Sequence, residues 1–169
     1  MRRLYLLRHA KASRDDPFLD DHERPLAQKG HLQAEAMAER FEGASFDRAL
    51  VLCSTALRAT DTLDPVLRVV AETGEIRYDP ALYGASAEDL LGILRHTAAG
   101  VPSVLMVGHN PAMHELAVAL AGEGGLVGNL RAKFPPGALA VLESDASWAE
   151  WAPGVAILSD FVIPADLTS

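Results

Sequence analysis

The stretch SVLMVGHNP, residues 103–111, decides the fold. Its first five residues form a continuous apolar run, which suits a strand buried on both faces. Gly108, His109 and Asn110 interrupt the run, Pro111 follows, and an apolar-patterned segment continues to about residue 121. Asn110 is a good helix N-cap, and proline is favoured at the first helical position. A buried strand that runs straight into a helix is half of a strand–helix–strand crossover, the unit from which parallel sheets are built.

The same alternation extends outward in both directions. Residues 3–7 and 48–53 read as buried strands, and residues 75–78 as a shorter one. Residues 26–41, with Gly43 as a stop, 55–71 and 86–98 have helical spacing. Pro65 marks a break in the second of these or the start of another helix. Ser86 is a plausible N-cap, with Asp89 three residues on. Residues 11–25 are polar, rich in aspartate and contain two prolines, so they read as a long loop. Downstream, 122–128 and 133–137 are expected loops, and 138–143 and 154–162 two late strands. The whole predicts an α/β fold: one domain over residues 1–169, a mainly parallel sheet flanked by helices, and a late antiparallel edge.

Composition narrows the function classes. The 169 residues suit one domain with one substantial core, and 49% of them are hydrophobic, which excludes a disordered chain. A net charge of −8 argues against a nucleic-acid binder, which needs a basic face. A local basic pocket remains compatible with an acidic surface. Cys53 is the single cysteine, so no intramolecular disulfide calls for an oxidising compartment. The apolar run of residues 4–7 is too short for a signal core and is cut by Arg8. No run of about 20 apolar residues predicts a membrane span. A cytoplasmic protein is expected; oligomeric state is not legible.

In open α/β sheets ligands bind beyond the carboxyl ends of the strands. The sequence puts Arg8 and His9 after the first strand. It puts Cys53, Ser54 and, a helical turn on, Arg58 after the second, and His109 after SVLMV. Each alone reads as an ordinary polar residue of a loop start or helix surface. Together they place two arginines and two histidines at one sheet edge beside two helix N-termini, which favour anions. Arginine forks match phosphate oxygens bidentately. The combination predicts a pocket for a phosphoryl group.

Five segments carry a resemblance. RHA (8–10) after LYLL resembles a variant of the RHG signature of the histidine phosphatase superfamily. CSTALRATDT (53–62) resembles its S-x-A-x-R-A-x-x-T motif, and VGHNP (107–111) the stretch with its second histidine. DDHERPLAQKG (20–30) and LYGAS (82–86) are similar to the small phosphohistidine phosphatase branch typified by SixA. The resemblance spans roughly the first 120 residues, in order, with alanine in place of the usual glycine at position 10. It implies a phosphoglycerate mutase-like fold, His9 as nucleophile, and Arg8, Arg58 and His109 as phosphoryl ligands. It also implies catalysis with no metal or other cofactor, through a phosphohistidine intermediate that water hydrolyses.

The implied substrate is a phosphorylated protein, such as a histidine phosphotransfer domain. The alternatives are a small phosphomonoester or a binding module without catalysis. Arg24 and Glu88 are further substrate-binding candidates, Arg24 as a contact or as a partner of Asp20 or Asp21, Glu88 as a general acid. Trp148 and Trp151 are expected to pack.

Two rival enzymes are weighed against this reading. A cysteine phosphatase would use Cys53 and Arg58, but its signature has five intervening residues where this chain has the four of STAL, without glycine. A metallohydrolase would use His109 and His114, whose i, i+5 spacing misses the i, i+4 of paired helical ligands.

Overall fold

The computed structural model describes residues 1–167. Side chains alternate across every strand of one six-stranded sheet, as the pleat requires. The strands are β1 (Arg2–Arg8), β2 (Ser45–Cys53), β3 (Glu72–Tyr78), β4 (Ser103–Gly108), β5 (Leu139–Ser144) and β6 (Ile157–Val162). They lie in the order β3-β2-β4-β1-β5-β6. The pairs β2–β3, β2–β4 and β1–β4 are parallel, whereas β1–β5 and β5–β6 are antiparallel. The fold is therefore α/β with an antiparallel β5–β6 edge.

On one face Leu4, Leu6, Leu50, Leu52, Val104 and Met106 meet α3 (Ala87–Arg95), α4 (Ala112–Leu120) and α5 (Val127–Ala132). On the other, Leu7, Val51, Leu105 and Val107 meet α1 (Gln28–Ala38) and α2 (Leu57–Val69), with the short α6 (Pro164–Leu167) packed on α1. A leucine-sized side chain buried in such a sandwich contributes roughly 1.5–3 kcal/mol. Both faces being covered explains why the inner strands read as unbroken apolar runs. Trp148 and Trp151 are buried with ring centroids 4.9 Å apart, and each indole N–H donates to a backbone carbonyl, of Val101 and Ala146 respectively.

Three local readings change. Pro65 lies inside α2 without ending it. It removes one hydrogen bond of the helix, and the buried Leu63 and Val66 on either side hold the segment to the core. Asn110 is not the N-cap, since the helix opens at Ala112 after Pro111. Its side-chain oxygen still accepts from the His114 N–H (3.2 Å), while its amide donates to the Phe134 carbonyl (2.9 Å). The glycine-rich segment 122–128 was expected as a loop, yet α5 begins at Val127. Buried Val127 and Leu130 anchor that turn despite the weak local propensity.

Candidate active site

Parallel pairing with matched register brings the ends of β1, β2 and β4 together. Arg8 pairs with Gly108, and Cys53 with Val107. The ladder continues one residue past each strand: His9 N–H donates to Gly108 O and Ser54 N–H to Val107 O, both at 3.0 Å. His9, Ser54 and His109 are thus neighbours fixed by backbone hydrogen bonds. The His9 and His109 ring centroids lie 5.1 Å apart.

The ring of His9 is oriented by its own turn. Nδ1 stands 2.7 Å from the carbonyl of Ala10. A carbonyl only accepts, so Nδ1 carries the proton and the lone pair of the neutral ring is on Nε2. Burial pushes the His9 pKa down to about 4; the Ala10 hydrogen bond opposes this, and the charges of Arg58, Arg8 and Arg24 add to it. At neutral pH the ring is uncharged.

The turn itself is braced from two helices. Ala10 N–H donates to Thr62 Oγ1 (2.9 Å), whose hydroxyl donates to Arg58 O (2.7 Å). His9 O accepts from Gly137 N–H (3.0 Å), and Lys11 O from Ala27 N–H (2.9 Å). At Gly30 on α1 a Cβ would stand 2.1 Å from Lys11 O, so this close approach requires glycine.

His109 Nε2 lies 2.8 Å from Ser54 Oγ. Ser54 is buried and its Oγ accepts from Ala56 N–H, so among the described residues His109 Nε2 is the acceptor open to its hydroxyl proton. That assignment leaves the His109 proton on Nδ1. Burial, then the neighbouring His9 and Arg58, push the His109 pKa down to about 3.

A cavity of about 300 Å³ opens beside these groups, lined by Arg8, His9, Lys11, Arg14, Arg24 and Arg58, with Ala12 and Pro136. Five of the eight lining residues are cationic, which suits a dianion. Arg8 donates to Phe134 O (3.0 Å), and its buried Nε–H has no partner among the described residues. An unmade buried donor is costly, and an anion in the cavity is an available acceptor.

Arg58 is set by Asp21. Its guanidinium donates to Asp21 O (2.7 Å) and Asp21 Oδ2 (2.9 Å). Arg24 donates to Asp21 Oδ1 (3.0 Å) and to Ser13 O (2.9 Å), and the Tyr83 hydroxyl to Asp21 Oδ2 (2.7 Å). With Tyr83, Arg58 and Arg24 all donating to it, the Asp21 carboxyl is held far below the usual carboxylate range. Tyr83 also packs on His109 and His22, with centroids 5.5 and 4.9 Å apart.

The structure therefore brings Arg8, His9, Arg58, His109 and Arg24 together; Arg24 both lines the cavity and pairs with Asp21. It does not bring in Glu88, which is exposed in the first turn of α3, beside a capping box made by Ser86 and Asp89. No hydrogen bond or ion pair among the described residues links Glu88 to the cavity. Asp21 entered the sequence reading only as one of two possible partners of Arg24, and Ser54 only as a residue after the second strand; Thr62 and Tyr83 had no role there. Three signals were available: Ser54 and Thr62 are fixed letters of the S-x-A-x-R-A-x-x-T motif, and Tyr83 lies in LYGAS.

Both rivals lack geometry. Cys53 is fully buried, its thiol donates to Ser54 O (3.3 Å), and burial pushes its pKa far up. A nucleophilic cysteine needs the opposite. His114 Nε2 is engaged by Leu130 O (2.5 Å), a different partner from that of His109. Among the described residues no three His, Cys, Asp or Glu side chains converge as a metal-ligand set.

Comparison with known proteins agrees with this geometry. The family model described as histidine phosphatase superfamily (branch 1) matches residues 4–100. The chain belongs to this superfamily. An uncharacterized protein of Mycobacterium tuberculosis is 36% identical over 166 residues, covering 94% of this chain and 99% of its own. Among solved structures, a protein of Agrobacterium tumefaciens assigned as the phosphohistidine phosphatase SixA is 34% identical, with TM-score 0.79 over 96% of this chain and 98% of its own. One from Nakamurella multipartitia, with the same assignment, is 30% identical, with TM-score 0.83 over 96% of both chains. These neighbours support phosphatase activity for the fold and site described.

Proposed function

We propose that the protein is a metal-independent phosphatase that removes the phosphoryl group from phosphohistidine on a protein, through a phosphorylated His9. One observation carries the substrate class. The carboxylate that joins the cluster, Asp21, accepts hydrogen bonds from Tyr83, Arg58 and Arg24 and is held ionised, so it cannot act as an acid. An alcohol leaving group needs a proton donor. A phosphoimidazole protonated on its second nitrogen needs none, since it departs as neutral imidazole.

The steps follow from the described groups. His9 Nε2 attacks phosphorus; the bond from phosphorus to the substrate nitrogen breaks, and its electron pair goes to the substrate ring. Arg8, Arg58 and Arg24 stabilise the charge on the equatorial oxygens, with the His109 ring alongside. Such positioning and charge stabilisation is most of what phosphoryl transfer asks of a protein. The Ala10 carbonyl keeps the proton on Nδ1, so the phosphorylated His9 ring is cationic. A cationic ring is a good leaving group when water attacks phosphorus. Cleavage then returns neutral His9 and releases inorganic phosphate.

The cavity opens beside the exposed segment that holds Arg14 and Phe18, the latter 94% exposed, which fits a phosphorylated side chain presented by a protein surface. A histidine phosphotransfer domain is one partner of this kind. A cytoplasmic location suits the reading, and no helix among the described residues is long and apolar enough to cross a membrane. The test compares kcat/KM for a phosphohistidine protein, a phosphoserine peptide and sugar phosphates. The phosphohistidine protein should be preferred; a strong sugar-phosphate preference would overturn the assignment.

A further inference from the structure

A second hollow adjoins the catalytic cavity. It has a volume of about 690 Å³ and shares Lys11 and Pro136 with that cavity. Leu32, Pro135 and Pro136 give it an apolar lining, and Lys11, Lys29 and Lys133 are exposed on it. Leu32 on α1 is 64% exposed, a large apolar side chain facing solvent.

Charge is segregated here. The chain carries 15 lysines and arginines against 23 aspartates and glutamates. Yet the two adjoining hollows are lined by seven of those cations, the five of the cavity plus Lys29 and Lys133, and by no aspartate or glutamate among the described residues. The ion pairs among the described residues are made by arginines and the amino terminus. Among the described side chains none of the three lysines has a charged partner, so all three are open to one. A phosphate in the catalytic cavity does not account for Lys29 and Lys133, which line only the second hollow.

We infer that this groove is the docking site for an acidic segment of the phosphoprotein, which flanks the phosphorylated residue as that residue enters the catalytic cavity. The inference rests on the protein-phosphatase reading above and adds to it the partner's chemistry. Apolar contact with Leu32, Pro135 and Pro136 seats the segment, and the lysines select for carboxylates and against basic flanks. Complementary charge of this kind acts on encounter and specificity and weakens with salt. The chain's net charge of −8 otherwise repels an acidic partner, so the groove also fixes where it can approach.

The test uses phosphohistidine peptides with acidic or neutral flanks, with para-nitrophenyl phosphate as a small control. The wild-type protein should show a KM about tenfold lower for acidic flanks, equivalent to about 1.4 kcal/mol, and lose that preference at high salt. Lys29→Glu/Lys133→Glu should abolish the preference and leave kcat/KM for the small control unchanged. The milder Lys29→Ala/Lys133→Ala pair should give an intermediate KM, which guards against misfolding of the first. Equal KM values in the wild type, or a preference that survives both variants, would overturn the inference while leaving the phosphatase reading intact. So would variants that alter self-association instead of KM, since the groove would then join two copies. No turnover of any phosphohistidine peptide would bring down the function reading, and the docking site with it.

Discussion

At the scale of the residue, the chemistry depends on protonation states set by burial and neighbouring charge. His9 and His109, with pKa values pushed to about 4 and about 3, are neutral where free histidine is partly charged. An NMR titration of the unliganded protein should show both rings uncharged at pH 6 and protonating only in the acid limb; a midpoint near 6.5 for His9 would contradict the electrostatic account. The same shifts affect stability. Between about pH 6.5 and 4 the unfolded chain binds protons at these histidines that the folded chain does not, so stability must fall as pH falls through that window. Thermal melts across it should show this, and the slope should flatten when His9 and His109 are replaced by glutamine. Arg58 offers a separate test. Its two contacts to Asp21 aim a planar fork, which lysine cannot reproduce. Arg58→Ala should lower kcat by about 10²–10³-fold, the range for losing one preorganised donor. Arg58→Lys should recover only a small part of it.

At the scale of the element, α1 and α2 are the supports of the His9 turn. Thr62→Val removes the acceptor of the buried Ala10 N–H and should cost about 1–3 kcal/mol of stability, read by denaturant unfolding. Because Ala10 O orients His9, kcat should fall too. Gly30→Ala sets a methyl group against Lys11 O and should displace the same loop. How much the sequence told differs by element. The inner strands were legible because burial on both faces leaves an unbroken apolar run. α5 was not, because a short helix in a glycine-rich segment is held by Val127 and Leu130, contacts that local propensity does not encode. At the site, His9, Arg8, Arg58 and His109 were legible from their position after strands. Asp21 was legible only as one of two possible partners of Arg24 among several loop aspartates, and the folded contacts with Arg58, Arg24 and Tyr83 single it out.

At the scale of the whole molecule, the sheet does two jobs. Its apolar faces build the core, and its matched parallel register gathers the ends of β1, β2 and β4 into one rigid rim. Cys53 belongs to the first job. Cys53→Ala should therefore lower stability by a modest amount and leave kcat/KM nearly unchanged, whereas a dead variant would restore the cysteine mechanism. The rim belongs to the second, and inorganic phosphate should bind there and raise the melting temperature. At 100 times its Kd the stabilisation should be about 2.7 kcal/mol, and it should be largely lost in Arg8→Ala. The central claim remains the covalent step on His9. It is tested most directly by rapid acid-free quenching during turnover of a phosphohistidine protein, followed by mapping of the phosphorylated site by mass spectrometry. The account predicts one phosphoryl group on His9, stable in base, lost in acid, and absent in His9→Ala. A phosphoryl group on another residue, or full turnover by His9→Ala, would contradict it.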